Sequence, residues 1–397
     1  MRLRSELGRN LLLAGGTIAL TASLIGVGYG LGRYRAARGF TALFAAQQTT
    51  RTLGQLFPRE QRAAVAGAYD DPADALSRFD AILWTPDYAA APFLGFVPAP
   101  GPQPGATINA LSMRGAALPA MPKPVGRLRV FVTGGSVAFG SGAPDDDRTI
   151  GAFLEAALNR PAGAGGRRFE VFTLAAPGWT STHERIAIEN RLTEFAPDLV
   201  VSLSGINDLY LSVIGRDPLW SRTFGDQLFW DLIGEARRVA GEAPPVDVAP
   251  DGRRLPPAEA ARRVEANVRL AAHALEPGGA AYLYALQPNI AWVDKALSPR
   301  EAEIRAHYRF RAFNRRGRRE IDARLRALDL PRFRYADLAD VFASLPPDEE
   351  IFLDTGHLGD KGNRIVAERL AAEIAPLLPG SPHEAAATQR APEQPGD

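Results

Sequence analysis

Three stretches of this chain share one design: a short apolar, β-prone run that stops at a glycine or polar turn. Val130, Phe131 and Val132 in RLRVFVTGGS lead into Gly-Gly-Ser at 134–136. FEVFTLAAPG (169–178) ends in a glycine turn before the amphipathic STHERIAIENRLTEF (181–195). Leu199–Leu203 in APDLVVSLSGIND ends in a polar loop. Runs that are apolar throughout, rather than alternating, read as strands buried on both faces. AAYLYALQP (280–288) predicts a fourth strand, and FRYADLADVF (333–342) a short fifth with a turn. Helices are expected from about 148 (TIGAFLEAALN) and over 362–378 (GNRIVAERLAAEIAPLL). Alternating strands and helices imply an α/β fold with three α/β/α layers around a central parallel sheet. Functional groups in such a sheet collect beyond the carboxyl ends of the strands. Ser136, Gly178 and Asn207 each follow one of these runs, so the three are expected to converge.

The N-terminus constrains the chain in another way. Residues 10–32 (NLLLAGGTIALTASLIGVGYGLG) carry no charge. A helix crosses a bilayer with about 20 apolar residues, and glycines are common in such helices. Residues 1–33 are therefore expected to be a transmembrane anchor. Arg2, Arg4 and Arg9 also suit the basic region of a cleaved signal peptide, but the run is long for that role and no clean A-x-A site follows. A buried soluble helix is the third reading. Arg33, Arg35 and Arg38 beyond the span nearly cancel the positive-inside signal.

The remaining chain divides by composition. Residues 34–125 are expected to be a connector and an extended lead-in, with the Pro- and Gly-rich 91–125 forming extended chain and a short hairpin packed on the main domain. Within it, Arg114 is expected in a surface salt bridge, with a place at the active-site rim as the alternative. The main domain is expected over 126–378, with an insertion at 211–256 that carries Trp220, Phe224, Phe229 and Trp230. The insertion reads equally as a lid or substrate wall and as a packed surface loop. The polar, Pro/Ala-rich 379–397 is expected to be disordered.

Several functions are excluded or disfavoured. The absence of cysteine rules out disulfides, thiolate metal sites, a cysteine nucleophile and lipoprotein attachment. A net charge of +1 gives no argument for a nucleic-acid partner. The Arg-rich 299–326 alternates with apolar residues at helical spacing and is expected to be a solvated helix face rather than an RNA- or lipid-binding patch. The five histidines include no HExxH pair, and no nucleotide-binding glycine loop is present. No metal or organic cofactor is expected.

Ser136 is the candidate nucleophile. A free serine hydroxyl attacks poorly and needs a base. His357, in DTGH at 354–357, is the one histidine in a motif suited to that task, and Asp354 three residues earlier can orient its ring. Taken alone, Asp-x-x-His reads as a helix-start cap, Gly178 as an ordinary turn and Asn207 as a turn-forming Asn-Asp. His183, His273, His307 and His383 lie in no comparable motif and are expected to be surface or helix residues.

GGSVAFG at 134–140, Gly178 in AAPGWTS, GIND at 205–208 and DTGH at 354–357 occur in that order. In this the chain resembles the SGNH/GDSL hydrolases over roughly 126–378. The resemblance implies a flavodoxin-like fold and a catalytic Ser136–His357–Asp354 set. It also implies an oxyanion hole of the Ser136 and Gly178 N–H groups and the Asn207 amide, with Asp208 holding its loop. The usual first motif is Gly-Asp-Ser, and here Gly135 replaces the aspartate. The G-x-S-x-G elbow is absent, since Ala138 stands at its last position. Envelope members of the family carry a lead-in like LGF…P…ATIN…RG. The function implied is a membrane-anchored serine esterase, with the catalytic domain periplasmic or extracellular. Its expected substrate is an acylated small molecule, lipid or glycan, O-acetyl groups included, and envelope proteins are conceivable partners. A glycan O-acyltransferase using the same residues, or a non-catalytic scaffold, are the alternatives.

Overall fold

The computed structural model describes residues 2–46, 50–160, 168–215, 224–243 and 254–378. Two units are distinguished within them. One contains helix α1 (Arg2–Ala46) and most of a helix at Phe224–Ala240. α1 continues well past the uncharged run, and Gly8–Ala36 within it has a mean hydropathy of 1.9 with none of its window buried. It is long and apolar enough to cross a membrane, a property that signal sequences share.

The other unit is built on five parallel strands: β1 (Arg127–Gly134), β2 (Arg168–Ala175), β3 (Leu199–Ser204), β4 (Ala281–Leu286) and β5 (Phe333–Asp337). Their order across the sheet is β5-β4-β3-β1-β2, all parallel. The helices that matter are α2 (Ser136–Phe139), α3 (Ile150–Leu158), α4 (Ser181–Ala187) and α5 (Ile206–Ile214). With α6 as the Phe224–Ala240 helix, there follow α7 (Pro257–Leu275), α8 (Pro299–His307), α9 (Arg311–Arg326) and α10 (Asp360–Ile374).

Successive strand residues point to opposite faces, and here both faces are covered. Val130, Val132, Val201 and Leu203 share a core with Ile150 and Leu154 of α3 and with Val366 and Leu370 of α10. On the other side Phe131 stacks on Phe172 and Phe195, and α7 packs against α4, α5 and α9. The three-layer parallel architecture is thus as the strand–helix rhythm implied. The predicted 181–195 helix is regular only over α4; it widens to a π turn at Ile188–Leu192 and tightens at Thr193–Phe195.

The lead-in is more structured than its composition suggests. Leu53, Val65, Ala66, Tyr69, Phe79 and Ile82 form a small core that also takes in Leu353, next to Asp354. Tyr88–Ala91 pairs with Gly95–Pro98, and Gly101–Gln103 with Ala106–Ile108, as two antiparallel hairpins. Arg114 is not a surface residue. Its side chain is 1% exposed, Nε donates to Asp146 Oδ1 at 2.9 Å and Nη1 to Gly140 O at 3.0 Å. A sequence cannot show that a lone arginine will be the counter-charge beneath the carboxyl end of a four-residue helix. The segment with Trp220, much of the rest of the insertion, and the tail 379–397 lie outside the described residues.

Candidate active site

Register places the motif loops side by side. Gly134 of β1 pairs with Ala175 of β2 and with Leu203 of β3. The chain leaves all three strands at one level, between β1 and β3 where the strand order reverses. Ser136 opens α2 directly after β1. Gly178 sits at φ +91°, a left-handed conformation that L side chains rarely adopt. Asn207 lies in the first turn of α5.

His357 comes from the loop before α10. Its Nε2 lies 2.7 Å from Ser136 Oγ. Its Nδ1 lies 2.8 Å from Asp354 Oδ2 and 2.9 Å from Oδ1. Asp354 Oδ1 also accepts the N–H groups of Gly356 and His357, each at 2.8 Å. Burial raises the Asp354 pKa, but the neighbouring imidazole and these hydrogen bonds outweigh it and bring the carboxyl down to about 2. It is therefore ionised at neutral pH. The Asp-x-x-His segment is not a helix-start cap here; it lies before α10, whose first residue is Asp360.

Among the described residues, the N–H groups of Ser136 and Gly178 bond to no other backbone group. Asn207 donates one amide hydrogen to Trp179 O at 2.7 Å, which orients the amide and leaves its second hydrogen. Gly135 makes this possible: a Cβ there would lie 2.4 Å from Asn207 Nδ2. Asp208 holds its loop by accepting from Ser181 Oγ at 2.6 Å and Ser181 N at 3.1 Å.

Sequence reading missed the residues that brace this set. Trp84, from the lead-in, packs its ring 4.2 Å from that of His357. Tyr88 OH donates to Pro177 O at 3.1 Å, and Trp179 Nε1 to Phe96 O at 3.1 Å. The lead-in thus steadies both the Gly178 loop and the histidine. The one available signal was the aromatic content of 84–96, which carries no distance information.

His183 is a helix residue, on α4, and not a surface one: it is only 6% exposed. It stacks on Trp179, and its Nδ1 accepts from Thr180 N at 3.1 Å. Burial lowers its pKa from 6.5 to about 4. His273 and His307 are exposed helix residues; His383 lies outside the described residues. Next to His183, Glu184 accepts a hydrogen bond from Ser204. Burial raises its pKa from 4.5 to about 8, the Ser204 hydrogen bond opposing and the Asp208 charge adding.

These two groups predict a pH dependence of stability. Glu184 is protonated in the fold and ionised in the unfolded chain between about 4.5 and 8, so stability declines as pH rises through that window. His183 acts oppositely: stability declines as pH falls from about 6.5 to 4, where the unfolded chain takes up a proton first. Glu184→Gln is expected to remove the first decline, worth at most about 1.4 kcal/mol per pH unit. Thermal unfolding of both proteins from pH 5 to 9 checks it; parallel curves would contradict the assignment.

The loop bearing Asp354 and His357 is tied down by a buried ion pair. Lys295 Nζ lies 2.7 Å from Glu301 Oε2, both side chains fully buried. Glu301 Oε1 accepts from Ile351 N at 2.9 Å and Phe352 N at 3.2 Å. Glu301→Ala leaves Lys295 uncompensated and is expected to cost about 3–5 kcal/mol, measured by denaturant unfolding. A loss below about 1 kcal/mol would mean that the pair is dispensable.

A serine, a histidine and a carboxylate in hydrogen-bonded line at the edge of a parallel sheet place the protein with the serine hydrolases. Residues 132–300 match the GDSL-like Lipase/Acylhydrolase family. No curated protein matches the chain. Among solved structures, the acetyl xylan esterase AlAXEase is 14% identical at a TM-score of 0.35, covering 62% of this chain and 98% of that one. LAE5, an α/β hydrolase from the metagenome of Lake Arreo, Spain, is 16% identical at 0.40, covering 63% and 96%. An aryl esterase of M. smegmatis is 15% identical at 0.37, covering 63% and 100%.

Proposed function

We propose that Ser136 is the nucleophile of ester hydrolysis, His357 its general base and then acid, and Asp354 the group that orients the imidazole and stabilises its charged form. The observation that carries this reading is the 2.7 Å approach of His357 Nε2 to Ser136 Oγ. His357 takes the hydroxyl proton as Oγ bonds to the acyl carbon. The negative charge that forms on the carbonyl oxygen is met by the N–H groups of Ser136 and Gly178 and the free amide hydrogen of Asn207. The bond to the alcohol breaks, and the alcohol leaves with the proton from His357. Water then attacks the acyl-serine, again deprotonated by His357, and releases the carboxylic acid and free Ser136.

We place this chemistry at the cell envelope, on a domain outside the cytoplasmic membrane and tethered by Gly8–Ala36. The length and hydropathy of that segment support the tether. The substrate is an acyl ester of a glycan or lipid, with O-acetyl glycans first. The full chain in detergent is expected to hydrolyse p-nitrophenyl esters and to be labelled by a fluorophosphonate at Ser136. Turnover confined to acetate favours deacetylation, and turnover of long chains favours lipid esters. Labelling without hydrolysis would replace the hydrolase reading with acyl transfer to a sugar hydroxyl, and neither would reduce the domain to a scaffold.

A further inference from the structure

The Arg-rich stretch is a solvated helix face as expected, with Arg315, Arg316 and Arg319 exposed, and part of it also borders a cavity. Arg305 of α8 and Arg311, Arg315, Arg318 and Arg319 of α9 enclose about 230 Å³ together with Trp292. Arg311, Arg315 and Arg319 recur every four residues, so they lie along one side of α9. Like charges at that spacing oppose helix formation. Among the described residues, Arg318 pairs with Asp337, while Arg305, Arg311, Arg315 and Arg319 have no ion pair. Burial and then the charges of Arg311 and Arg315 lower the pKa of Arg305, with the Glu301 charge opposing.

The adjoining, larger cavity of about 690 Å³ makes the contrast. Its arginines are neutralised by the protein: Arg326 by Asp322, Arg334 by Glu373 and Arg369 by Asp340 and Glu373. The smaller cavity has no such carboxylates. Trp292 lines both cavities. Trp292 is 7% exposed, and its Nε1 has no hydrogen-bond partner. The guanidinium groups lining it are donors only, and without a carboxylate among the lining residues they call for an oxyanion.

The segment that lines this cavity is hydrogen-bonded to the loop of Asp354 and His357. Ile290 N donates to Thr355 O at 2.9 Å, and Trp292 N to Asn289 O at 3.0 Å, so the wall of the cavity continues into the loop of Asp354 and His357. On the other side, α8 carries Arg305 and also Glu301, which accepts from Ile351 and Phe352.

We propose that Arg305, Arg311, Arg315 and Arg319, beside Trp292, bind an oxyanionic group of the ester substrate, making the preferred substrate the acyl ester of an acidic molecule bearing carboxylate or phosphate. The substrate assignment rests on the hydrolase reading above; the anion site itself does not. Planar guanidinium groups suit either oxyanion, pairing with it through two parallel hydrogen bonds.

Two measurements test this separately. Calorimetric titration of the full chain with inorganic pyrophosphate is expected to show saturable binding that weakens with added salt. Binding should fall at least tenfold in Arg311→Gln/Arg315→Gln and stay unchanged in Arg326→Gln, whose charge is already paired. A melting temperature no lower than that of the unaltered chain would show that the double variant is folded. Absent binding, or binding indifferent to the double substitution, overturns the site. In the second measurement, kcat/KM for an acetylated glucuronide and an acetylated glucose 6-phosphate is compared with that for a neutral acetylated glucoside. One or both acidic esters should be preferred at least tenfold, through KM, and the double variant should erase the preference while leaving the neutral ester unaffected. Which acid is preferred separates carboxylate from phosphate. Equal turnover of all three overturns the substrate assignment. If no ester is hydrolysed, the hydrolase reading fails, and pyrophosphate binding alone decides the anion site.

Discussion

Ser136→Ala is expected to lower kcat for ester hydrolysis by about 10⁴- to 10⁶-fold with little change in KM. Without the hydroxyl, His357 has no proton to take and the acyl group no oxygen to join. What survives is the contribution of substrate binding and of the donors around the carbonyl oxygen, which act without a nucleophile. The fold should not notice the change. Among the described residues Ser136 Oγ hydrogen-bonds only to His357, and the backbone bonds from Gly140 N and Ser141 N to Ser136 O do not depend on the side chain. Stability should stay within about 0.5 kcal/mol of the unaltered chain. Steady-state release of p-nitrophenolate, with a melting curve beside it, measures both. Activity above about one per cent in a folded Ser136→Ala protein would remove Ser136 from the mechanism.

Gly135→Asp restores the commoner form of the first motif, yet it is expected to lower kcat by about 10²- to 10³-fold. Local preference argues the other way. Gly135 is the N-cap of α2 with ordinary extended backbone, where aspartate is a favoured cap. The obstacle is tertiary. A Cβ would stand 2.4 Å from Asn207 Nδ2 and 3.3 Å from Trp179 O, inside the contact that orients the Asn207 amide. Asn207 must swing away, and the charge on the carbonyl oxygen loses a donor. Asn207→Ala should therefore cost about as much, and the double variant little more than either single one, because both remove the same interaction. Additive losses would show that Gly135 acts by another route, and an unchanged kcat that the site accommodates a side chain there.

The same contrast runs through the legibility of the fold. β1, β3 and β4 were readable because strands buried on both faces must be apolar throughout, and each ends at a residue that cannot continue it. α8 and α9 were readable as helix, but not as walls of a cavity, because spacing places Arg311, Arg315 and Arg319 on one side without saying what faces them. Trp84, Arg114 and His183 were misread or passed over for a common reason. Each acts through a partner distant in sequence or through burial, and neither leaves a local pattern.

What the sequence by itself determined is the set of chemical groups and the loops that carry them. A serine, a glycine and an asparagine each follow an apolar run, and an aspartate precedes a histidine by three residues. These properties are local, set by periodicity and turn chemistry. Only the tertiary structure decided that the loops leave the sheet at one level, that Trp84 braces His357, and that Gly135 must lack a side chain. It also decided that four arginines line one cavity with no ion pair among the described residues. Each depends on the register of strands and the packing of segments remote in the chain, where the distances that decide chemistry are set.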